Sequence, residues 1–164
     1  MLKRITVSRN EIEEILRNET LGFLGMCKDG IPYVIPISYA YIDSKILFHC
    51  ALKGKKLDFL RNNPQVCFTT GRQTGKMIRH PQGASCEEDQ DSVVCYGMAR
   101  IVEDINERCT LLNIFNRCFR PNTREILTEE VTGCYAVEIS ISKMTGRQRR
   151  KRVEYTYWEY SFIS

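Results

Sequence analysis

Apolar and polar residues alternate between positions 32 and 41, in a run rich in valine, isoleucine and tyrosine. A period of two along the chain predicts a β-strand. Similar runs over residues 21–26, 65–70, 91–102 and 133–142 predict further strands, the one over 91–102 bent at Gly97. In the last of them Tyr135, Val137, Ile139 and Ile141 share one face. Lys28-Asp29-Gly30 and Asp43-Ser44 are turn signals. A helical period replaces the strand period in two places. Ser8 and Glu11 make a capping box that opens a helix running to Arg17, with Ile12, Ile15 and Leu16 on its buried side. Residues 106–119 predict a second long helix with Leu111, Leu112, Ile114, Phe115 and Phe119 as its apolar set, stopped by Pro121. Residues 123–130 allow one more short helix. Residues 71–90 are polar and irregular and read as a long loop, a length at which loops are often functional. Strands separated by turns, with few helices, predict a small barrel with helices packed outside.

The segment 45–64 carries the most chemistry. Ile46, Leu47 and Phe48 continue a strand, Gly54 turns the chain, and Leu57, Phe59 and Leu60 recur at helical spacing until Pro64. Lys53, Lys55 and Lys56 therefore stand where a helix begins. Cations there oppose the helix dipole by about 0.3–1 kcal/mol each. An anion at the same place reverses that cost, and free N–H groups, a glycine turn and ammonium groups together make a phosphate site. A solvated lysine cluster is the alternative reading of the lysines alone.

The 164 residues fit one domain, taken here as 1–164, with an N-terminal helical stretch (1–20) and a basic, then aromatic, C-terminal extension (147–164). A net charge of +4 suits a small anion better than a nucleic-acid duplex. The Met1–Ile5 start lacks the apolar core of a signal peptide, and no apolar run approaches the ~20 residues that span a bilayer, so cytoplasmic residence is expected. Eight cysteines are then expected as reduced thiols, and the absence of Cys-x-x-Cys spacing with only His49 and His80 argues against a zinc site.

Three blocks resemble one known family. They are Gly30-Ile31-Pro32-Tyr33-Val34-Ile35-Pro36-Ile37-Ser38-Tyr39, then Phe48-His49-Cys50-Ala51 with Gly54, Lys56, Leu57 and Asn63-Pro64, and then the strand from Ser92 to Val102. In this order they resemble the flavin-binding split-barrel proteins related to pyridoxamine 5′-phosphate oxidase. A histidine at His49 resembles the nitroimidazole-resistance (Nim-like) branch. The resemblance covers roughly residues 21–143.

The resemblance implies a mainly β fold with α, a six-stranded antiparallel split β-barrel with peripheral helices. It also implies a homodimer with FMN in a groove between the subunits. The family's phosphate lysine falls on Lys56, and Lys55 falls where the oxidase branch carries an arginine. Lys53, Gly54, Cys50 and Ala51 complete that turn. Val34, Ile35, Pro36, Ile37, Ser38 and Tyr39 line the flavin ring, largely through backbone groups. His49 is the implied catalytic residue and proton donor. Ser92 is a further cofactor contact. The substrate-binding arginine and histidine of the oxidase have no clear counterpart near the C-terminus.

Several residues carry two readings. Ser38 and Tyr39 either hydrogen-bond the ring or pair across strands. Cys50 is either a reactive thiolate or a small buried thiol. Trp158, Tyr155, Tyr157 and Tyr160 either stack on a flavin or pack an interface. The basic run 146–152 is either solvated or adds charge at a phosphate through Arg147 or Lys151. The leading functional expectation is an FMN-dependent oxidoreductase passing electrons from a nicotinamide or similar donor to a small acceptor, nitro-aromatic compounds included. A non-catalytic flavin- or haem-binding protein is the second, with deazaflavin an alternative ligand. A nucleic-acid-associated protein ranks last.

Overall fold

The structure is a computed structural model that describes residues 8–73, 78–79, 86–87, 90–150 and 153–161, with side chains over 8–73 and 90–148. The chain runs α1 (Arg9–Asn18), β1 (Leu21–Lys28), β2 (Ile31–Ser38), β3 (Ala40–Ile42), β4 (Lys45–Ala51), α2 (Lys55–Asn62) and β5 (Gln65–Gln73). It continues through β6 (Ile78–Arg79), β7 (Cys86–Glu87), β8 (Gln90–Val102), α3 (Ile105–Phe119), a 3-10 turn (Thr128–Val131), β9 (Cys134–Arg150) and β10 (Val153–Ser161). Ser8 caps α1 as expected, its N–H donating to Glu11 Oε2 at 2.7 Å.

The main sheet is antiparallel, in the order β2-β1-β5-β8-β9-β4-β3, and β10 adds to β9 as an eighth strand. The expected six-stranded barrel is thus corrected to an open path of seven strands. The reason lies at Tyr39. The alternating run 32–41 pairs with β1 only as far as Ser38, and from Ala40 it pairs with β4 instead. Tyr39 stands between, 1% exposed, with its hydroxyl donating to Leu16 O at 3.0 Å and its N–H to Thr20 O at 3.1 Å. One sequence run therefore supplies both ends of the path. A single residue joins those ends, so the sheet has to curl around its core.

Inside the curl, Leu24, Tyr39, Phe48, Phe68, Val93 and Met144 pack with Ile12, Ile15 and Leu16 of α1. Outside it, Leu112 and Phe115 of α3 pack on Leu47, Val102 and Ala136. Buried Arg108 anchors α3 by donating to Val102 O at 3.2 Å and Glu103 O at 2.8 Å, with its guanidinium 4.6 Å above the Tyr135 ring. Both predicted turns are left-handed pairs, Asp29 (φ 51°) with Gly30 (φ 78°) and Asp43 (φ 49°) with Ser44 (φ 62°), the backbone that suits tight hairpins. Gly97 sits at the register shift in β8, where a Cβ would fall 2.3 Å from Ser140 O.

Other expectations are revised. Part of the loop 71–90 is a small ladder, with Ile78 opposite Glu87. The helix expected at 123–130 shrinks to the 3-10 turn, whose Glu130 accepts from the Leu127 N–H at 2.8 Å. The strand expected to stop at Ser142 runs to Arg150, because β8 keeps pairing with it as far as Arg149.

Candidate functional site

Among the described residues, two strand edges near the start of α2 have no strand neighbour. β3 covers β4 only from Lys45 to Leu47, whereas β9 covers the other side as far as Ala51. From Phe48 to Ala51 one edge of β4 thus has no strand against it. β2 ends the path, so its outer edge also lacks a neighbour among the described residues. The bond from Tyr39 N–H to Thr20 O fixes the parity of β2. Odd-numbered residues face β1 with their backbone groups, and even-numbered ones turn them outward. Pro32 and Pro36 occupy two of the outward positions and have no N–H, which protects the edge from strand addition. The outer edge keeps the N–H groups of Val34 and Ser38 and a row of carbonyls.

α2 begins between these edges. Leu52 and Lys53 are exposed, and Gly54 forms the N-cap with φ 134° and ψ 165°, a conformation essentially confined to glycine. A Cβ built on Gly54 meets nothing within 4 Å, so the turn is open on that side. Gly54 O accepts from Leu57 N–H at 3.0 Å and starts the helix, whose first-turn donors point back toward the glycine. The Lys55 ammonium lies 4.5 Å from the centre of the Tyr33 ring on β2 and 5.5 Å from that of Phe59. The Lys56 ammonium lies 5.3 Å from the centre of the Phe48 ring on β4. The two lysines thus lean toward the two strands that flank the opening.

His49 leaves β4 on the face opposite Phe48 and Cys50, toward α3. Its ring meets Phe115 edge-on, and Phe119 packs behind Phe115 at 4.8 Å. Burial, and then the charge of Lys56, hold its imidazole below the ordinary histidine range. Neutral imidazole is therefore the resting form at neutral pH, with one ring nitrogen donating and the other accepting. Cys50 faces the core, and burial pushes its thiol up, with Lys56 offsetting part of the effect. That environment suits a packed thiol rather than a thiolate.

Of the residues expected along the ring, Val34, Pro36 and Ser38 present exposed side chains on β2, and Ile35 is half-buried. Ile37 and Tyr39 turn their side chains into the core, where they pack. Burial also pushes the Tyr39 hydroxyl well above its ordinary value. Ser92 pairs with Gly71 and Arg147, whereas β8 reaches the α2 region lower down, where Ala99 N–H donates to Pro64 O at 2.8 Å. Ser92 is therefore not drawn to the lysine turn. His80, Lys151 and Arg152 lie outside the described residues. So do the side chains of Tyr155, Tyr157, Trp158 and Tyr160, whose backbone forms β10. Tyr33, Phe59 and Phe115 are site neighbours that sequence reasoning passed over. The helical periodicity of Phe59 and Phe115 marked them as core, and nothing local in the sequence tells a core ring from one beneath an ammonium.

The outer face of β1, β2, β5 and β8 is apolar. Phe23 (45%), Val34 (62%), Tyr96 (46%) and Met98 (47%) are exposed there. A groove of about 410 Å³ crosses this face between Cys27, Pro32, Val34, Asn63, Cys67 and Tyr96. A larger hollow, about 560 Å³, lies on the far side of α3 against residues 125–129. No helix among the described residues is long and apolar enough to cross a membrane.

Known proteins resemble this chain in both sequence and shape. An uncharacterized protein of Rhizobium meliloti (strain 1021) is 30% identical over 95 residues, a match spanning 51% of this chain and 62% of that one. A crystal structure described as a candidate 5-nitroimidazole antibiotic resistance protein, from Bacteroides thetaiotaomicron VPI-5482, superposes with a TM-score of 0.75 at 24% identity, covering 89% of this chain and 87% of the other. The FAD and heme binding protein of Mycobacterium smegmatis gives a TM-score of 0.78 at 13% identity over 94% of this chain and 83% of its own. A FAD-binding protein of Mesorhizobium loti gives 0.68 at 22% identity over 88% and 96%. At these identities the three structures show a shared fold. The sequence profile of pyridoxamine 5′-phosphate oxidase matches residues 8–148. A match over most of the length settles membership: this chain belongs to the pyridoxamine 5′-phosphate oxidase family.

Proposed function

We propose that the protein holds a flavin phosphate, FMN in the first instance, at the Gly54–Lys56 turn and serves as an oxidoreductase. One observation carries this reading. An open glycine cap, a helix N-terminus and Lys56 converge between two strand edges that have no strand neighbour among the described residues. The first-turn N–H groups and the Lys56 charge suit a phosphate. The outward N–H groups of Val34 and Ser38, with the carbonyls between them, suit the alternating donors and acceptors on the rim of an isoalloxazine. The fit is chemical on both counts. A bound flavin supplies electron and hydride transfer. The chain supplies orientation, a basic anchor and, at His49, a neutral imidazole beside the turn that exchanges a proton with a reacting group.

The same reading makes the protein a homodimer. Phe23, Val34, Tyr96 and Met98 form an apolar face of the kind that monomers rarely expose. A second copy on this face would enclose the groove beside Val34. The electron donor is a nicotinamide or a similar small molecule. The acceptor class is small and aromatic, with nitroimidazoles the first candidates on the family branch that His49 resembles. A holding role without turnover is the second reading, and it is favoured by the Mycobacterium smegmatis protein described as binding FAD and heme.

The test begins with the absorbance spectrum of the purified protein and mass spectrometry of the released ligand. Flavin bands and an FMN mass are expected. Lys56→Ala should weaken FMN binding by about 1.5–3 kcal/mol, the usual worth of a charge-assisted contact. Protein that stays colourless after reconstitution with FMN and FAD would overturn the proposal. Bound flavin that neither NADH nor NADPH reduces would move it to the holding role.

A further inference from the structure

The two adjacent lysines of the turn do not have the same surroundings. The Lys55 ammonium sits over two rings, Tyr33 at 4.5 Å and Phe59 at 5.5 Å. Those rings contact each other, with centroids 5.1 Å apart and planes at 50°. Tyr33 belongs to β2, and Phe59 to the buried face of α2. A cation held on an aromatic pair is already compensated, and moving it to a phosphate forfeits that contact. Lys56 has one ring beneath it, at 5.3 Å, where Lys55 has two, the nearer at 4.5 Å. It rests over Phe48 at the other side of the opening, next to His49.

We propose that Lys55 is a positioning residue and not a phosphate ligand: its ammonium pins β2 to the first turn of α2 through Tyr33 and Phe59, leaving the anion to Lys56. This rests on the flavin reading above and divides its labour. Among the described residues β2 is an edge strand, paired on one side only, and Tyr33 immediately precedes Val34, the first outward N–H of that edge. The Lys55 contact ties that edge to the phosphate turn. It sets the distance between the two ends of an extended ligand. An arginine at this position keeps the stacking, whereas a neutral side chain loses it.

The test compares FMN with riboflavin, which has the same ring and no phosphate, by fluorescence titration of the flavin-free protein. Lys56→Gln should weaken FMN by roughly tenfold or more and leave riboflavin unchanged. Lys55→Gln should weaken both ligands by the same factor, roughly threefold to tenfold. Lys55→Arg should restore both. In a Tyr33→Leu background, Lys55→Gln should have no further effect. A Lys55→Gln loss confined to FMN makes Lys55 a direct ligand and overturns the proposal. So does the absence of any loss, or a full loss that persists without Tyr33. If the wild-type protein binds neither ligand, the flavin reading fails by itself. The clamp is then judged by urea unfolding of the wild type, Lys55→Gln, Tyr33→Leu and the double variant. Non-additive midpoints support it and additive ones overturn it.

Discussion

The imidazole of His49 meets the ring of Phe115 edge-on, with centroids 5.2 Å apart and planes at 79°. An exposed strand histidine thereby gains one dry side. Phe115, which provides it from α3, lies more than sixty positions further along the chain. Removing the ring should return water to the imidazole. Phe115→Leu is expected to cost about 1 kcal/mol of stability and to move the His49 pKa up toward its ordinary value of about 6.5. Histidine resonances followed by NMR titration read the shift directly. An unchanged titration would mean that Phe115 does not set the environment of His49.

The lowered His49 pKa has a consequence for acid stability. Its burial, and next the Lys56 charge, favour the neutral form in the folded protein. Below the unfolded value of about 6.5 the unfolded chain takes up a proton more readily than the folded one. The contribution is complete above that pH and is lost as the pH falls through the lower folded value. Urea midpoints measured at about pH 7.5 and about pH 5 should differ more for the wild type than for His49→Gln. Equal differences would remove His49 as the cause.

Gly54 tests the turn itself. With φ 134° and ψ 165° it occupies a region that side chains resist whatever space surrounds them. Gly54→Ala should cost about 1–3 kcal/mol in thermal or chemical unfolding and should lower flavin retention together with it. Full stability in that variant would show that the turn relaxes freely.

Gly97 tests the sheet. Its Cβ would lie 2.3 Å from Ser140 O and 3.0 Å from Ile139 Cγ2, both on the neighbouring strand β9. β8 and β9 would have to part where they shift register. Gly97→Ala should destabilise by about 1–3 kcal/mol or more, read from the urea midpoint. Wild-type stability would place the bend elsewhere.

The sequence by itself determined several local elements and which residues form the turn. The Ser8 capping box, the two left-handed hairpin turns, the bend at Gly97 and the lysines at the head of α2 all follow from signals a few residues long. Short-range signals of this kind are set by backbone sterics and local hydrogen bonds, which neighbouring residues dictate. Tertiary structure alone decided that the run 32–41 breaks at Tyr39, because what turns that side chain inward is a carbonyl on α1, Leu16 O, distant in sequence. It alone separated the buried Ile37 and Tyr39 from the outward Val34 and Ser38. It also left Ser92 away from the turn and placed Tyr33 under Lys55 and Phe115 against His49. Each of these depends on which distant segment a side chain meets. Alternation along one strand says which residues share a face, but not what lies across from it.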